Sequence, residues 1–451
     1  MISFKQIVKR VDARLASQGK LGSALIKGVL GTTGLRLAFS GIGFLVAMVL
    51  AKSLGPSGYG TYSWVMALVA FFSIPSELGI PNLAVREVAV ANARKDWGHM
   101  RGFLIWAHRM TGVLSLVLIV AGGAALYLWG DRFEPAKLKA MWTALLLVPL
   151  ISLGALRGSM LRGLRKVILG QLPEQVIRPA ALLALLLLLP VFGRSLDSAD
   201  DAMLAQVGSV TVAFLCGVFL FIRHRPPEVA RATPRFQASL WLQSCIPFGM
   251  TAALQLINGR TDILALGMFR DPSEVGIYRV AMQIAALVIF GLKTVNAIQG
   301  PYVAHLYATG DMKKLQKMIT KSSQVVALFA LVSVILIVLF GQFFIEIAFG
   351  PEFKDAYIPL VILCVGQLVN ASMGSVASLL NMTGHERDTT KSIFLGASIN
   401  IVLNLSLTPI WGATGAAVAT AMTLITWNLV MRSKVLARIG IETSPIFRDR
   451  S

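Results

Sequence analysis

The sequence predicts an all-α integral membrane protein, with about twelve transmembrane helices in two pseudo-symmetric six-helix lobes. Three observations carry that expectation. Mean hydropathy is +0.70 and only 14% of the 451 residues are charged, against roughly 25% in soluble domains. The apolar residues gather into twelve runs, and a run of roughly 20 residues is long enough to cross a bilayer as a helix. An eight-residue turn between the first two runs returns between the seventh and eighth. The first two features exclude a soluble globular chain and a disordered one alike.

The elements follow in order. The first run, Leu37–Leu54, comes after Lys5, Lys9, Arg10, Arg14, Lys20, Lys27 and Arg36, and the turn from Gly55 leads into the second, Tyr59–Ile80. A segment with Arg86, Arg94, Lys95, Arg101 and Arg109 precedes the third, Met110–Trp129; the fourth is Met141–Leu156. The fifth, Val176–Phe192, is short and carries Arg178 and Pro179 near its start; the sixth is Ala202–Ile222. The second set is Cys245–Phe269, Gly276–Ile298, Val325–Phe344, Tyr357–Leu380, Ser392–Trp411 and Ala413–Val430. Their Leu, Ala, Val and Gly content lacks the alternation of an outer-membrane barrel strand.

Flanking Lys and Arg favour the cytoplasmic side. With the N-terminus inside, 32 of the 42 basic residues fall in inner segments and 8 in outer ones, while Arg260 and Lys293 lie within helices. Both termini of the multi-pass chain are therefore expected in the cytoplasm. The net charge of +20 points to the anionic inner leaflet and its lipids as counterpart, and not to nucleic acid. Residues 1–30 carry charges in every apolar run and no cleavage site, unlike a signal peptide. Phe4, Ile7, Val8, Val11 and Leu15 recur at helical spacing instead, which reads as an amphipathic helix on the cytoplasmic face.

The repeated turn is Gly55-Pro56-Ser57-Gly58-Tyr59-Gly60-Thr61-Tyr62, returning as Asp271-Pro272-Ser273-Glu274-Val275-Gly276-Ile277-Tyr278. The offset is 216, with Pro, Ser, Gly and Tyr matching. Six helices is an even number, so the halves run in parallel about an axis along the membrane normal. The expected division is an N-terminal segment 1–30, lobes 31–222 and 238–435, a cytoplasmic linker 223–237 rich in proline, and a basic cytoplasmic tail 436–451.

Residues Ala51 to Gly60 resemble the R-x-LGPEGYG turn of bacterial polysaccharide exporters and O-antigen repeat-unit flippases, members of the multidrug/oligosaccharidyl-lipid/polysaccharide exporter superfamily. Further stretches are similar in the same order: Ser76–Ile80, Gly259–Leu264, Phe349–Phe353, Leu380–Arg387 and Asn404–Ala417. Asp271 and Glu274 depart from the glycine-rich second turn of that family. The resemblance, from about residue 24 to 435, implies a two-lobed secondary transporter that flips lipid-linked oligosaccharides across the plasma membrane. It also implies association with a polysaccharide polymerase and chain-length machinery.

Ionisable groups in hydrocarbon cost about 2.5 kcal/mol or more each and default to functional candidates. Arg260 stands sixteenth in its run, near the midplane; it reads either as an anion ligand or as one half of an interhelix ion pair. Asp262, about 200° further round, shares a face with Gln255 and Asn258. Arg279, Gln283, Lys293 and Asn296 form a polar stripe along the eighth run, with snorkelling as the plain alternative for Lys293. Lys293 minus 216 is Glu77, which suggests equivalent depths on opposite lobes. The candidate substrate-binding residues are thus Arg260, Lys293, Asn258, Arg279 and Asn296. Glu77 and Asp262 are candidates for ion coupling, since a carboxyl withdrawn from water exchanges its proton more readily near neutrality. Gln255, Gln367, Asn370, Asn400 and Asn404 are secondary cavity candidates, with interhelix hydrogen bonding as the competing role.

Three cysteines without a CxxC pair and five scattered histidines support neither a disulfide scaffold nor a metal site. No GxxxxGK[ST] loop or GxGxxG fingerprint occurs, so no nucleotide cofactor is expected. The leading function is flipping of a polyprenyl-pyrophosphate-linked repeat unit by alternating access, for O-antigen (lipopolysaccharide) or exopolysaccharide synthesis. The alternatives are a multidrug exporter of the same superfamily and a membrane polysaccharide polymerase. No enzyme activity is expected.

Overall fold

A computed structural model describes residues 19–192 and 196–444. The amphipathic segment expected from Phe4 to Leu15 lies outside the described residues, as does the tail from Pro445 onward. Every regular element among the described residues is helical. Among the described residues nine helices are long and apolar enough to cross a membrane, or ten with one pair bent by 53° counted as a single span. Two of these are double. Gly55 (φ 64°) interrupts Gly19–Glu77, and Gly412 (φ 54°) interrupts Glu386–Ile439. Only glycine holds such backbone angles without strain, and Pro56 follows Gly55 with its φ already set for a helix start.

Divided there, the described residues contain twelve membrane-length legs. They are α1 (19–54), α2 (56–77), α3 (Trp97–Trp129), α4 (Pro135–Gly163), α5 (Val167–Leu188) and α6 (Ala199–His224). The second half holds α7 (Ala238–Phe269), α8 (Pro272–Ala285 with Phe290–Ala308), α9 (Met312–Phe349), α10 (Pro351–Met382), α11 (386–411) and α12 (413–439). Several begin well before their apolar runs: α3 starts at Trp97 where Met110 was expected, and α9 at Met312 where Val325 was expected. Hydropathy marks where hydrocarbon begins, whereas helical hydrogen bonding continues through the polar interface.

Three departures from expectation have physical causes. The fifth span is full length, because the helix passes through a π-helical stretch, Pro173–Ile177, in which the Arg178 amide bonds back to the Pro173 carbonyl. A wider turn of this kind accommodates a mid-helix proline. A short amphipathic helix, Ile80–Arg94, stands between α2 and α3; it buries Ile80, Leu83, Ala84, Val88 and Ala91 and starts with Pro81 after left-handed Gly79 (φ 74°). The break in α8 falls at Ala286–Ile289, and α2, its repeat equivalent, has no such break.

The repeat is visible as a contact. A Cβ on Gly60 would lie 1.7 Å from the Pro272 carbonyl oxygen, and one on Gly276 would lie 2.1 Å from that of Pro56. These are the residues that the offset of 216 relates, so the contact is reciprocal, as a two-fold axis requires. The Gly55 and Gly412 turns lie at the same end: Glu352 Oε2 comes within 3.3 Å of where a Gly55 Cβ would be, and Glu274 accepts from the Ala413 amide at 2.8 Å. At this proline-turn end one continuous apolar core takes side chains from both halves, including Leu50, Val65, Leu147, Ile263, Tyr278 and Phe349.

The opposite end carries the basic loops, and there the core is split in two. One part belongs to residues 80–245, around Phe103, Trp106, Leu156 and Trp241; the other spans 303–441, around Ile319, Leu380 and Val435. Trp241, at the start of α7, is 2% exposed and lies 5.3 Å from both Phe103 and Trp106, ring centroid to centroid. Such aromatic pairs add about 0.5–1.5 kcal/mol beyond area burial, so α7 is anchored by its first turns in the first half's core.

Candidate functional site

A cavity of about 390 Å³ lies between α1, α2, α4, α5 and α6 of the first half and α7 and α8 of the second. Its charged lining is Glu77, Arg178, Arg260 and Arg279, three guanidinium groups against one carboxylate. The break at Gly55 starts α2 so that Tyr59, Tyr62, Ser63, Ser73 and Glu77 all line the same cavity. The π stretch in α5 sets Arg178 into the wall, where Glu174 holds its Nη1 at 2.9 Å. Gly154 leaves room for that carboxylate, since a Cβ there would come within 2.8 Å of Glu174 Oε1.

Among the described residues, neither Arg260 nor Arg279 makes a salt bridge. Arg279 and Ser63 lie beside the Tyr59 hydroxyl, and the Tyr62 hydroxyl donates to Gln206 Oε1 at 2.9 Å. Both arginines are half-buried, and a cation withdrawn from water without a counter-ion is costly unless water or an anion reaches it. The cavity therefore suits an anionic group with further hydrogen-bond acceptors, and its tyrosine, serine and glutamine side chains suit hydroxyl-rich neighbours.

The other expected residues lie elsewhere. Asp262 is 3% exposed; it accepts from the Tyr278 hydroxyl at 2.6 Å and from the Ile263 amide at 2.8 Å, inside the second half. It makes no salt bridge to Arg260. Asn258 donates to the carbonyls of Leu254 and Ile393, each at 3.2 Å, and Gln255 is exposed. Lys293 and Asn296 stand beyond the break in α8, and neither lines the cavity. Lys293, expected at the depth of Glu77, lies beyond the 53° bend of α8 and does not line the cavity that Glu77 lines.

Gln367 and Asn370 bond to each other at 3.2 Å, Asn400 reaches Thr423 at 3.5 Å, and Asn404 donates to the Asn400 carbonyl at 2.9 Å. Reading the sequence missed Arg178 as a lining residue, together with Tyr59, Tyr62 and Gln206. The repeated octamer holds both tyrosines, one and two turns beyond Pro56, but a tyrosine there reads equally well as a packing residue. Among the described residues, no group of three or more His, Cys, Asp or Glu side chains could hold a metal ion.

Comparison with known proteins adds three findings. The chain is 25% identical over 411 residues to the probable flippase AglR of Haloferax volcanii, covering 90% of this chain and 81% of that protein. It is 24% identical to the probable low-salt glycan biosynthesis flippase Agl15 of the same organism, over 88% of this chain and 80% of that one. Two solved folds match at a TM-score of 0.71 and 14% identity: an inward-facing MATE family transporter of the MOP superfamily, over 90% of this chain and 98% of that one, and the lipid II flippase MurJ in an inward closed conformation, over 91% and 87%. An outward-facing MATE family structure matches at 0.60 and 13% identity, over 92% of this chain and 96% of that one. The polysaccharide biosynthesis protein family model matches residues 25–297, more than half of the chain, and the chain belongs to that family.

Proposed function

We propose that this protein is a flippase, a transporter and not an enzyme, that carries a lipid-linked oligosaccharide across the plasma membrane by alternating access. The cargo we assign is a polyprenyl-pyrophosphate-linked repeat unit destined for a surface polysaccharide. One observation carries the assignment: a cavity between the two halves lined by three arginines and one glutamate, in which Arg260 and Arg279 make no salt bridge among the described residues. A diphosphate needs cations, and arginine stays charged where lysine loses its proton on burial. A drug exporter selecting cations would want the opposite sign. The probable flippases AglR and Agl15 support the same reading through their similarity to this chain.

In this reading the lobes are residues 31–222 and 238–435, joined by a linker at 223–237, and the basic end faces the cytoplasm. The single core at the proline-turn end and the divided core at the basic end fit a state open toward the side from which cargo enters. Arg260, Arg279 and Arg178 hold the head group, and Glu77 has the position for ion coupling that Asp262 lacks. Lys293, Asn258 and Asn296 act on the path and not in the cavity. Handover to a polysaccharide polymerase and chain-length machinery would follow on the outer face.

The test is Arg260→Ala, with membrane abundance and surface glycan measured together. Export should fall to background at normal abundance, and Arg260→Lys should restore it in part. In Arg260→Ala/Asp262→Ala export should stay lost. Its recovery there would make Arg260 a strut paired with Asp262 and sink the assignment.

A further inference from the structure

A second crevice, of about 950 Å³, lies on the lipid-facing side of α2 at the proline-turn end, between the first half and the start of α8. Its mouth has charges of opposite sign on opposite walls. The first half contributes Arg132 and Lys137; the second contributes Arg270, Asp271 and Glu274. Arg270 and Glu274 neutralise each other at 2.9 Å, and Glu274 is further occupied by the Ala413 amide. That leaves two cations facing one carboxylate.

None of the three has an ion pair among the described residues. The Lys137 ammonium sits 3.9 Å from the Trp64 ring centroid and donates to the Gly267 carbonyl at 3.4 Å. Asp271 is exposed and stands at the N-cap of α8 without capping it through its side chain. Asp271 and Glu274 are also the two charged residues among the four by which the second octamer departs from the first.

Beside the crevice lies a slot of about 110 Å³. The two share Leu68, Phe72 and Met141, and the slot is otherwise walled by residues such as Val65, Leu126 and Val148. Gly122 lines it; a Cβ there would stand 2.9 Å from Leu145 Cδ2. The whole has the shape and polarity of an amphiphile: a polar mouth at one membrane interface, an aromatic throat, and an apolar end within the hydrocarbon.

We propose that this crevice binds a zwitterionic phospholipid of the phosphatidylethanolamine class, its phosphate on Arg132 and Lys137 and its ammonium on Asp271. An anionic lipid would satisfy the cations and meet Asp271 as a like charge. Both halves line the crevice, so an occupant favours the arrangement in which they meet at this end. The site is separate from the central cavity and does not depend on what that cavity carries.

The experiment titrates the purified full chain in detergent with dioleoylphosphatidylethanolamine and, separately, dioleoylphosphatidylglycerol, counting bound lipid by native mass spectrometry. The ethanolamine lipid should bind about tenfold more tightly, the scale of one hydrogen bond to a charged group. Asp271→Asn should erase the preference and Asp271→Glu should keep it. Lys137→Ala and Gly122→Leu should weaken both lipids by a similar factor, with thermal unfolding in the absence of added lipid confirming that each variant is folded. Equal binding of the two lipids, a preference for the glycerol lipid, or a preference that survives Asp271→Asn would each overturn the proposal. Arg260→Ala should leave the titration unchanged, so this site and the cargo cavity fail or stand separately.

Discussion

Arg260 and Arg279 share one cavity with Arg178, and of the three, among the described residues, Arg178 alone makes a salt bridge. An unpaired guanidinium in a membrane protein's interior implies water or an anion nearby, because its desolvation has no other offset. The Arg178–Glu174 pair at 2.9 Å is different in kind. Glu174→Gln should release Arg178 into the cavity and leave export working, whereas Arg279→Ala should reduce export severalfold, measured as surface glycan per unit of membrane protein. Gly60 and Gly276 act by size alone. Adding a methyl at either meets a carbonyl oxygen 1.7 or 2.1 Å away, so Gly60→Ala and Gly276→Ala should each lower stability by about 1–3 kcal/mol, the usual scale of overpacking, read from thermal unfolding in detergent. Because the two contacts are reciprocal, the double variant should cost less than the sum. Arg260 and Arg279 were legible in the sequence because a charge in an apolar run is conspicuous. Tyr59, Tyr62 and Gln206 were not, since a tyrosine or glutamine in a helix ordinarily packs or bonds to a neighbour.

The spans themselves were legible, because hydropathy and glycine–proline turns report directly on what can cross hydrocarbon. Two internal breaks were not. Ala286 to Ile289 contains no proline or glycine, so an apolar run gives no sign of the bend there; Lys293 lies beyond it and does not line the cavity. The helix Ile80–Arg94 had signals that hydropathy overlooks, a left-handed glycine position followed by Pro81. The segment between α6 and α7 is fastened to α3. The Arg235 amide donates to the Gly98 carbonyl at 3.0 Å, Arg101 reaches the Ala232 carbonyl at 2.7 Å, and the Arg235 guanidinium pairs with Asp96. The His99 amide, and after it the Arg235 guanidinium, hold the Asp96 carboxyl below its usual range. A depressed carboxyl contributes stability that is complete above its unfolded-state value, about 3.9, and that disappears as pH falls through the folded value. At pH 7 the Arg235 amide should therefore exchange its hydrogen faster in Asp96→Asn than in the parent. The two should converge at low pH, once Asp96 is protonated. A difference that persists there would mean the strap depends on packing and not on this charge.

At the scale of the whole molecule, the two ends are built differently, and the difference sets a direction for access. One core joins both halves beside the reciprocal Pro56–Gly276 and Pro272–Gly60 contacts, and two separate cores sit at the basic end. Trp64 strengthens the joined end, donating from Nε1 to the Leu264 carbonyl at 3.3 Å across the halves, as does Lys52 to the Ile347 carbonyl at 2.9 Å. Opening there would break these bonds together, while opening at the basic end separates cores that are already distinct. The central cavity should thus be reached from the basic end. The bias of Lys and Arg toward one set of loops leads us to propose that this end faces the cytoplasm. Both statements can be checked with single cysteines in a background lacking Cys216, Cys245 and Cys364. A cysteine at Ser198, the N-cap of α6, should react with an impermeant reagent added outside intact cells, and one at Ser322 should react only in inverted vesicles. A cysteine at Gln283, on the cavity wall, should follow the Ser322 pattern. If Ser198 and Ser322 exchange behaviour, the orientation is reversed. If they hold and Gln283 reacts from outside, the orientation stands and the cavity opens through the joined core, which would make that end the mobile one.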